Sequence, residues 1–342
     1  MDSIYLYTLP ENRIAQKPAS PRDSSNLLVY KTETDEIFFD TFNHLDRYLP
    51  AETLLVMNES KVLPCRVHAV SGKSPIELLV MTNEWKPGDS VLLATCNKKL
   101  HPGARVDLSD GHTLTVLESH EKIFRFHPDF DLKTLPEVLA QIGEMPVPLY
   151  IQNCPLTESE KRKKYQTVFA KTPGSVAAPT ASLHFTERVF KKLAARGVEK
   201  TFLTLHVGLG TFAPVLPEHF ETKTLYKEYY EIPKASAERI LQQKKSGKPI
   251  IAVGTTATRT IESFARSGEC IDSTKLFILP PYPFQMLDGL LTNFHVPGSS
   301  LMMLVEAFLQ HKQAKKHLKE LYELALEKDF RFYSFGDSML IL

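Results

Sequence analysis

The chain has 342 residues, 43% of them hydrophobic and 24% charged, with a formal net charge of +1. That length suits about two domains with a sizeable core. Near-neutrality excludes a broad electrostatic field as the means of holding nucleic acid, so any such binding needs a local basic patch. No run of about 18 apolar residues occurs, and no charged-then-apolar leader opens the chain at "MDSIYLYTLPENRIAQKP". Cys65, Cys96, Cys154 and Cys270 stand far apart with no CxxC pair. This argues against a zinc site and a disulfide framework and suits a reducing compartment, so the expected location is cytoplasmic.

In chain order, "SPRDSS" carries Arg22 and Asp23 ahead of an apolar run. From about Cys65 to Glu144 the pattern becomes short and β-rich: "CRVHAV", "IELLVM", "SVLLAT", "RVDL", "HTLTVLE" and "IFRFH". Turn signals separate these runs, among them Asp110-Gly111, a two-residue hairpin signal, so the segment predicts a small all-β barrel or sandwich. Beyond it strand and helix alternate. "TERVFKKLAARG" is amphipathic and feeds the strand "EKTFLTLHVG", while "KPIIAVG" is an apolar strand leading into the helical "TTATRTIESFARSG". "SSLMMLVEAFLQHKQAKKHLKELYELALEKD" holds one or two helices with Ser299 or Ser300 as N-cap, and "FRFYSFGDSMLIL" closes as a strand. The expected architecture is an α/β main domain, a mixed sheet with flanking helices, made of residues 1–62 and 151–342. A small antiparallel β-barrel is inserted over residues 63–150.

Six stretches invite a chemical reading. "YQTVFAKTPGSVAAPTASLHFT" contains ten residues, Pro173 to Ser182, with no charge and nothing larger than Val176, flanked by Tyr165, Gln166, His184 and Phe185. Small side chains let another body approach the backbone. "HVGLGTFAP" places Gly208, Gly210 and Ala213 in GxGxxA spacing, but Pro214 and Pro217 follow where a dinucleotide fingerprint needs a helix. A glycine loop for a ligand and a plain tight turn are equally open there. "GKS" at Gly72 lacks the upstream glycine of a P-loop, where Val67 stands. In "IIAVGTTATRT", Thr255, Thr256 and Arg259 sit at a strand-to-helix junction, either binding an anion or, for Thr255, capping the helix. "LTNFHVPGSS" strings Asn293 and His295 before a helix, and with His184 and His206 also beside small residues a shared cleft is the natural expectation. The basic run "KRKKYQ" reads as a solvated face or as a phosphate-backbone contact.

Eight segments together resemble the S-adenosylmethionine:tRNA ribosyltransferase-isomerases of queuosine synthesis. They are "LPENRIAQKPASPRDSSNLLV", "NESKVLPCRV", "GEMPVPLYI", "YQTVFAKTPGSVAAPTASLHFT", "HVGLGTFAPV", "VGTTATRTIES", "LLTNFHVPGSSLMMLVEAF" and "FRFYSFGDSMLI". The segments span nearly the whole chain in the family's order. Departures from the pattern are Asn26 for Arg, Cys65 for Ala, Pro280 before Pro281-Tyr282, and Leu225-Tyr226 for Met-His ahead of Glu228.

The resemblance implies a fold of an α/β domain interrupted by a β-barrel. It also implies a reaction in which the ribosyl part of S-adenosylmethionine moves onto the aminomethyl group of a 7-deazaguanine at the tRNA wobble position. The sugar is rearranged, and adenine and methionine are released. Such chemistry implies no metal and no other cofactor, S-adenosylmethionine being consumed as substrate, with the tRNA as macromolecular partner; a monomer is the default expectation. It needs a base for the acidic C5′–H, an acid, a carboxylate clamp and slots for two heterocycles. On this resemblance His206 and His184 are expected to move protons, with Asp23 beside them in the catalytic set. Arg259 and the helix start at Thr255 and Thr256 are expected to hold the methionine carboxylate. Gly174, Ser175, Ala177, Ala178 and Thr180 would line the sulfonium nucleoside, with Gly208, Gly210, Asn293 and His295 nearby. Tyr165, Phe185 or Tyr282 would stack on a heterocycle, Arg22 and Asp23 would position the deazaguanine or the tRNA loop, and Gln166 joins the substrate-binding set.

Two other readings compete. An S-adenosylmethionine-dependent methyltransferase would need the glycine loop to enter a helix, which "HVGLGTFAP" does not. A barrel acting purely as an RNA-binding module would draw on Phe124, Arg125 and Phe126.

Overall fold

The computed structural model describes residues 3–120, 122–208, 210 and 215–342. In chain order its strands are β1 Asn26–Lys31, β2 Glu36–Thr41, β3 Leu54–Asn58, β4 Ser60–Val62, β5 Arg66–Ser71, β6 Ser74–Val80, β7 Leu92–Cys96, β8 Arg105–Leu108, β9 Thr113–His120, β10 Ile123–Pro128, β11 Gly143–Glu144, β12 Thr172–Ser175, β13 Glu199–Leu205, β14 Thr224–Glu231, β15 Ile250–Val253, β16 Ile271–Leu276, β17 Gly289–Asn293 and β18 Ser338–Ile341. The helices are α1 Leu135–Ile142, α2 Glu158–Lys164, α3 Glu187–Ala195, α4 Pro217–Thr222, α5 Lys234–Lys245, α6 Thr255–Ser267, α7 Ser300–His311 and α8 Leu318–Glu327.

Among the described residues the main sheet has nine strands in the order β16-β14-β13-β3-β15-β17-β18-β1-β2. β13, β3, β15 and β17 are parallel to one another. β18 then runs antiparallel to β17, and β1 lies parallel to β18. The C-terminal strand therefore slots between β17 and β1, and both ends of the chain share one sheet. Central parallel strands need cover on both faces, and β3 "LLVMN" and β15 "IIAV" are buried at every position. Their side chains alternate between two cores: Leu54 and Val56 point to one, Leu55 and Met57 to the other. α5, α6, α7 and α8 cover the first face, while α3 and the 3-10 stretch Phe42–Arg47 cover the second.

The β-rich segment resolves to a barrel. β5, β6, β7, β10, β9 and β8 pair in turn, and β5 closes on β8 with Ala69 opposite Leu108. Closure removes the free edges, and period-two burial supplies the interior: Val67 and Ala69 of β5 point in, His68 and Val70 out. The β8–β9 hairpin turns at Asp110-Gly111, with Gly111 at φ +93°. Leu63, Cys65 and Val176 join the barrel core, so the short parallel pair β4–β12 anchors the barrel to the main sheet.

The chain's closing segment differs from the sequence expectation. Only Ser338–Ile341 is a strand, and the preceding residues form a turn with Tyr333 at φ +70°. Buried Asp337 imposes the turn: it accepts the Arg331 N–H at 2.8 Å, Arg331 Nη2–H at 2.9 Å and the Asn26 N–H at 3.1 Å.

Candidate active site

A cleft of about 580 Å³ opens where β13, β15 and β17 end. Val207 and Gly210 follow β13, Gly254, Thr255 and Thr256 follow β15, and Asn293 and His295 lie at the end of β17. In open α/β sheets ligands bind outside the carboxyl ends of the strands, and the volume falls in the ordinary small-molecule range.

One end of the cleft is built for an anion. Gly254, at φ +88°, is the N-cap of α6, and no side chain caps the helix. Thr255 is therefore the first helical residue and not the cap, so the first-turn N–H groups and the positive end of the dipole face the cleft without a side-chain acceptor. Arg259, one turn further on, is 8% exposed and lines the same cleft. Its Nη1 is ion-paired with buried Glu228, its Nε–H donates to the Leu276 carbonyl at 3.0 Å, and its Nη2 has no partner among the described residues. Glu228 in turn accepts the Gly208 N–H at 3.1 Å, which ties the glycine loop to the arginine. A buried guanidinium nitrogen left without an acceptor is an expensive arrangement unless a ligand supplies one.

The small-residue stretch divides in two. Its first half is filled by the protein itself. Gly174 has φ +141°, and a Cβ there would lie 2.9 Å from His206 Cε1, so the His206 ring occupies the space the glycine leaves. Ser175 Oγ–H donates to the Ala177 carbonyl and accepts the Val207 N–H at 2.9 Å, deep in the core. The second half, Ala177, Ala178, Pro179, Thr180 and Ala181, forms a wall of the cleft. Thr180 Oγ1–H donates to Asn293 Oδ1 at 2.8 Å, and Asn293 Nδ2 lies 3.4 Å from His184 Nε2.

Tyr165, Ala177, Ala178, Thr180, Gly210, Thr255, Thr256, Arg259, Asn293 and His295 thus meet in one cleft, while the other expected site residues stand elsewhere. His184 lies behind Asn293, with Nδ1 2.8 Å from Ser25 Oγ, and burial pushes its pKa down to about 4. His206 packs on Gly174, and burial pushes it down to about 4 as well. The premise of an unperturbed imidazole therefore fails for both. Burial alone would raise the Asp23 carboxyl, but hydrogen bonds from Arg188 and Thr186 outweigh it and hold the group below its usual range. That clamp ties "SPRDSS" to the start of α3. Arg22 donates to the Gln166 and Lys163 carbonyls, and Gln166 brackets both backbone groups of Val62. Phe185 is core, stacked on Phe190 with centroids 5.1 Å apart. Tyr282 packs behind α6 under Arg266. Gly208 abuts Asn83, and a Cβ there would lie 2.8 Å from its Nδ2. Leu209 and residues 211–214 of the glycine stretch lie outside the described residues.

His295 is held rigidly. Its N–H donates to Tyr322 Oη at 2.8 Å, its carbonyl accepts from Tyr7 Oη–H, and Nε2 is 2.8 Å from Thr292 Oγ1. Burial pushes it down to about 3, so the ring is unprotonated at neutral pH. The sequence did not single out His219, Leu149, Tyr150 or Tyr333, all of which line the cleft. Tyr150 and Tyr333 sit inside "GEMPVPLYI" and "FRFYSFGDSMLI", so a signal for them was present; His219 belongs to no motif. It packs edge-on against Tyr226 with centroids 5.0 Å apart, beside the position that departs from the Met-His pattern. The basic run is largely neutralised within its own helix: Lys161 and Arg162 pair with Glu158, and Lys164 with Glu160. Among the described residues no helix is long and apolar enough to cross a membrane, and no three His, Cys, Asp or Glu side chains group as metal ligands would.

A family described as queuosine biosynthesis protein matches residues 3–341. The chain is 40% identical to an S-adenosylmethionine:tRNA ribosyltransferase-isomerase of Thermoanaerobacter sp. over 99% of both chains. It is 41% identical to one of Desulfitobacterium hafniense over 98% of both. The crystal structure of an S-adenosylmethionine tRNA ribosyltransferase from Thermotoga maritima superposes with a TM-score of 0.56 at 29% identity, covering 99% of this chain and all of that one. With a matching family across its length, relatives near 40% identity end to end, and the same barrel-in-sheet fold, this chain belongs to the queuosine biosynthesis protein family.

Proposed function

We infer that the protein transfers and isomerises the ribosyl moiety of S-adenosylmethionine onto the 7-aminomethyl group of 7-deazaguanine at the tRNA wobble position. The products are epoxyqueuosine-tRNA, adenine and methionine. The observation that carries the reading is Arg259 Nη2, without a partner among the described residues, beside the uncapped N-terminus of α6, in a cleft whose walls include the small residues Ala177–Ala181 and several tyrosines. Arg259 and the first-turn N–H groups hold the methionine carboxylate. Ala177–Thr180 lie against the ribose, where larger side chains would occupy its place. His295, which lines the cleft and is fixed there through Thr292 Oγ1, takes the C5′ proton made acidic by the neighbouring sulfonium. Asn293 and Thr180 orient the sugar, with His184 fixing Asn293 from behind. S-adenosylmethionine is consumed and no other cofactor takes part. The protein acts as a monomer in the cytoplasm, a location that suits its four free cysteines.

Incubation with S-adenosylmethionine and a tRNA bearing the aminomethyl-deazaguanine tests this. Free adenine, free methionine and a heavier nucleoside in the tRNA are expected. S-adenosylhomocysteine in place of adenine would mean methyl transfer and overturn the reading.

A further inference from the structure

His219 has no place in the chemistry above, yet it lines the cleft and is only 7% exposed. Its Nδ1 accepts the Leu216 N–H at 3.0 Å, which puts the ring proton on Nε2. Nε2 makes no hydrogen bond to any described residue. The ring stands edge-on to Tyr226, at an interplanar angle of 71°, and Tyr226 lines the same cleft. Gly210 makes room for that tyrosine, since a Cβ there would lie 2.6 Å from Tyr226 Cδ2.

We propose that His219 is a further catalytic residue, its Nε2–H donating a hydrogen bond to an acceptor nitrogen on the edge of the departing purine, with Tyr226 against the purine ring. This rests on the ribosyl-transfer reading. Tyr226 and Glu228 are two residues apart on β14, so the His219–Tyr226 pair and the Arg259–Glu228 clamp line the same cleft at separate points. In S-adenosylmethionine the purine lies at the far end from the carboxylate. When the C1′–N9 bond breaks, its electron pair stays on adenine, and a hydrogen bond to a ring nitrogen strengthens as that charge builds. With the Leu216 N–H on Nδ1, Nε2–H is the ring's donor to the purine. Adenine is finally neutralised by a proton equivalent to the one lifted from C5′.

The test is adenine release by the parent protein, His219→Ala and His219→Gln, between about pH 6 and 9. His219→Ala should lower kcat roughly 10–100-fold, with KM for S-adenosylmethionine moving less than about threefold and the pH limbs unmoved. His219→Gln, which keeps an N–H donor, should regain much of the loss. S-adenosylmethionine analogues with adenine N3 or N7 replaced by CH complete a cycle: one of them should slow the parent and leave His219→Ala indifferent. Parental kcat in His219→Ala overturns the proposal, as does the loss of a pH limb, which would make His219 a titrating acid or base. If circular dichroism shows that His219→Ala misfolds, the analogues decide on the parent alone, and indifference to both overturns the proposal. Release of S-adenosylhomocysteine by the parent would remove the ribosyl-transfer reading itself, and this assignment with it.

Discussion

Replacing Arg259 with lysine separates the two tasks the side chain performs. The arginine commits Nη1 to Glu228 and Nε to the Leu276 carbonyl, and leaves Nη2 for the cleft. A lysine keeps a charge beside Glu228 but has no planar fork to reach a second acceptor. One charge-assisted hydrogen bond to a carboxylate is worth about 1.5–3 kcal/mol, so S-adenosylmethionine should bind roughly 10–150-fold more weakly. The methionine carboxylate keeps its charge throughout the reaction, so ground state and transition state lose equally: KM rises and kcat stays. Arg259→Ala goes further. It strips Glu228, 4% exposed, of its cation, and breaking a buried pair costs about 3–5 kcal/mol. Thermal melting should register that loss, and Arg259→Ala with Glu228→Gln should recover part of it. Titration calorimetry with S-adenosylmethionine reads the first effect. Parental affinity and parental KM in Arg259→Lys would refute the clamp.

His295→Asn should reduce kcat for adenine release by more than about a hundredfold with little change in KM; near-parental kcat removes His295 as the base. Acid should destabilise the fold through its buried histidines. His184 and His206 are pushed down to about 4, so they are neutral when folded and bind a proton first in the unfolded chain. Their contribution is complete above the ordinary value near 6.5 and is lost as pH falls from there towards 4, on the order of 3 kcal/mol for the enclosed His184. Melting temperature should drop across that window, and His184→Asn should flatten the drop; an unchanged slope counts against it. Gly174→Ala should cost about 1–3 kcal/mol in a denaturant melt, from its positive φ and the collision with His206; a variant as stable as the parent would contradict that packing.

Much of the fold was legible because its signals are local. Period-two burial and Gly turns mark the barrel strands. Continuous apolar runs such as "IIAV" mark the central strands, and Gly268 ends α6 where its sequence ends. The turn before β18 was not legible, since it depends on Asp337 bonding to Asn26 and Arg331, one of them at the other end of the chain. The site followed the same division. Thr255, Thr256 and Arg259 lie on one helix start, so their proximity is written in their spacing. His184, Phe185 and Asp23 look like site residues beside a small-residue stretch, but long-range partners (Ser25, Phe42 and Arg188) draw them into packing. His219 could not be found from sequence, because its place depends on α4 folding back onto β14 and not on any motif.

A crystal structure of the protein with S-adenosylmethionine tests the central claim most directly. The account expects the methionine carboxylate within hydrogen-bond distance of Arg259 Nη2 at the start of α6, and the ribose against Ala177–Thr180. Density for the nucleoside anywhere else, with Arg259 Nη2 still unpaired, would contradict it.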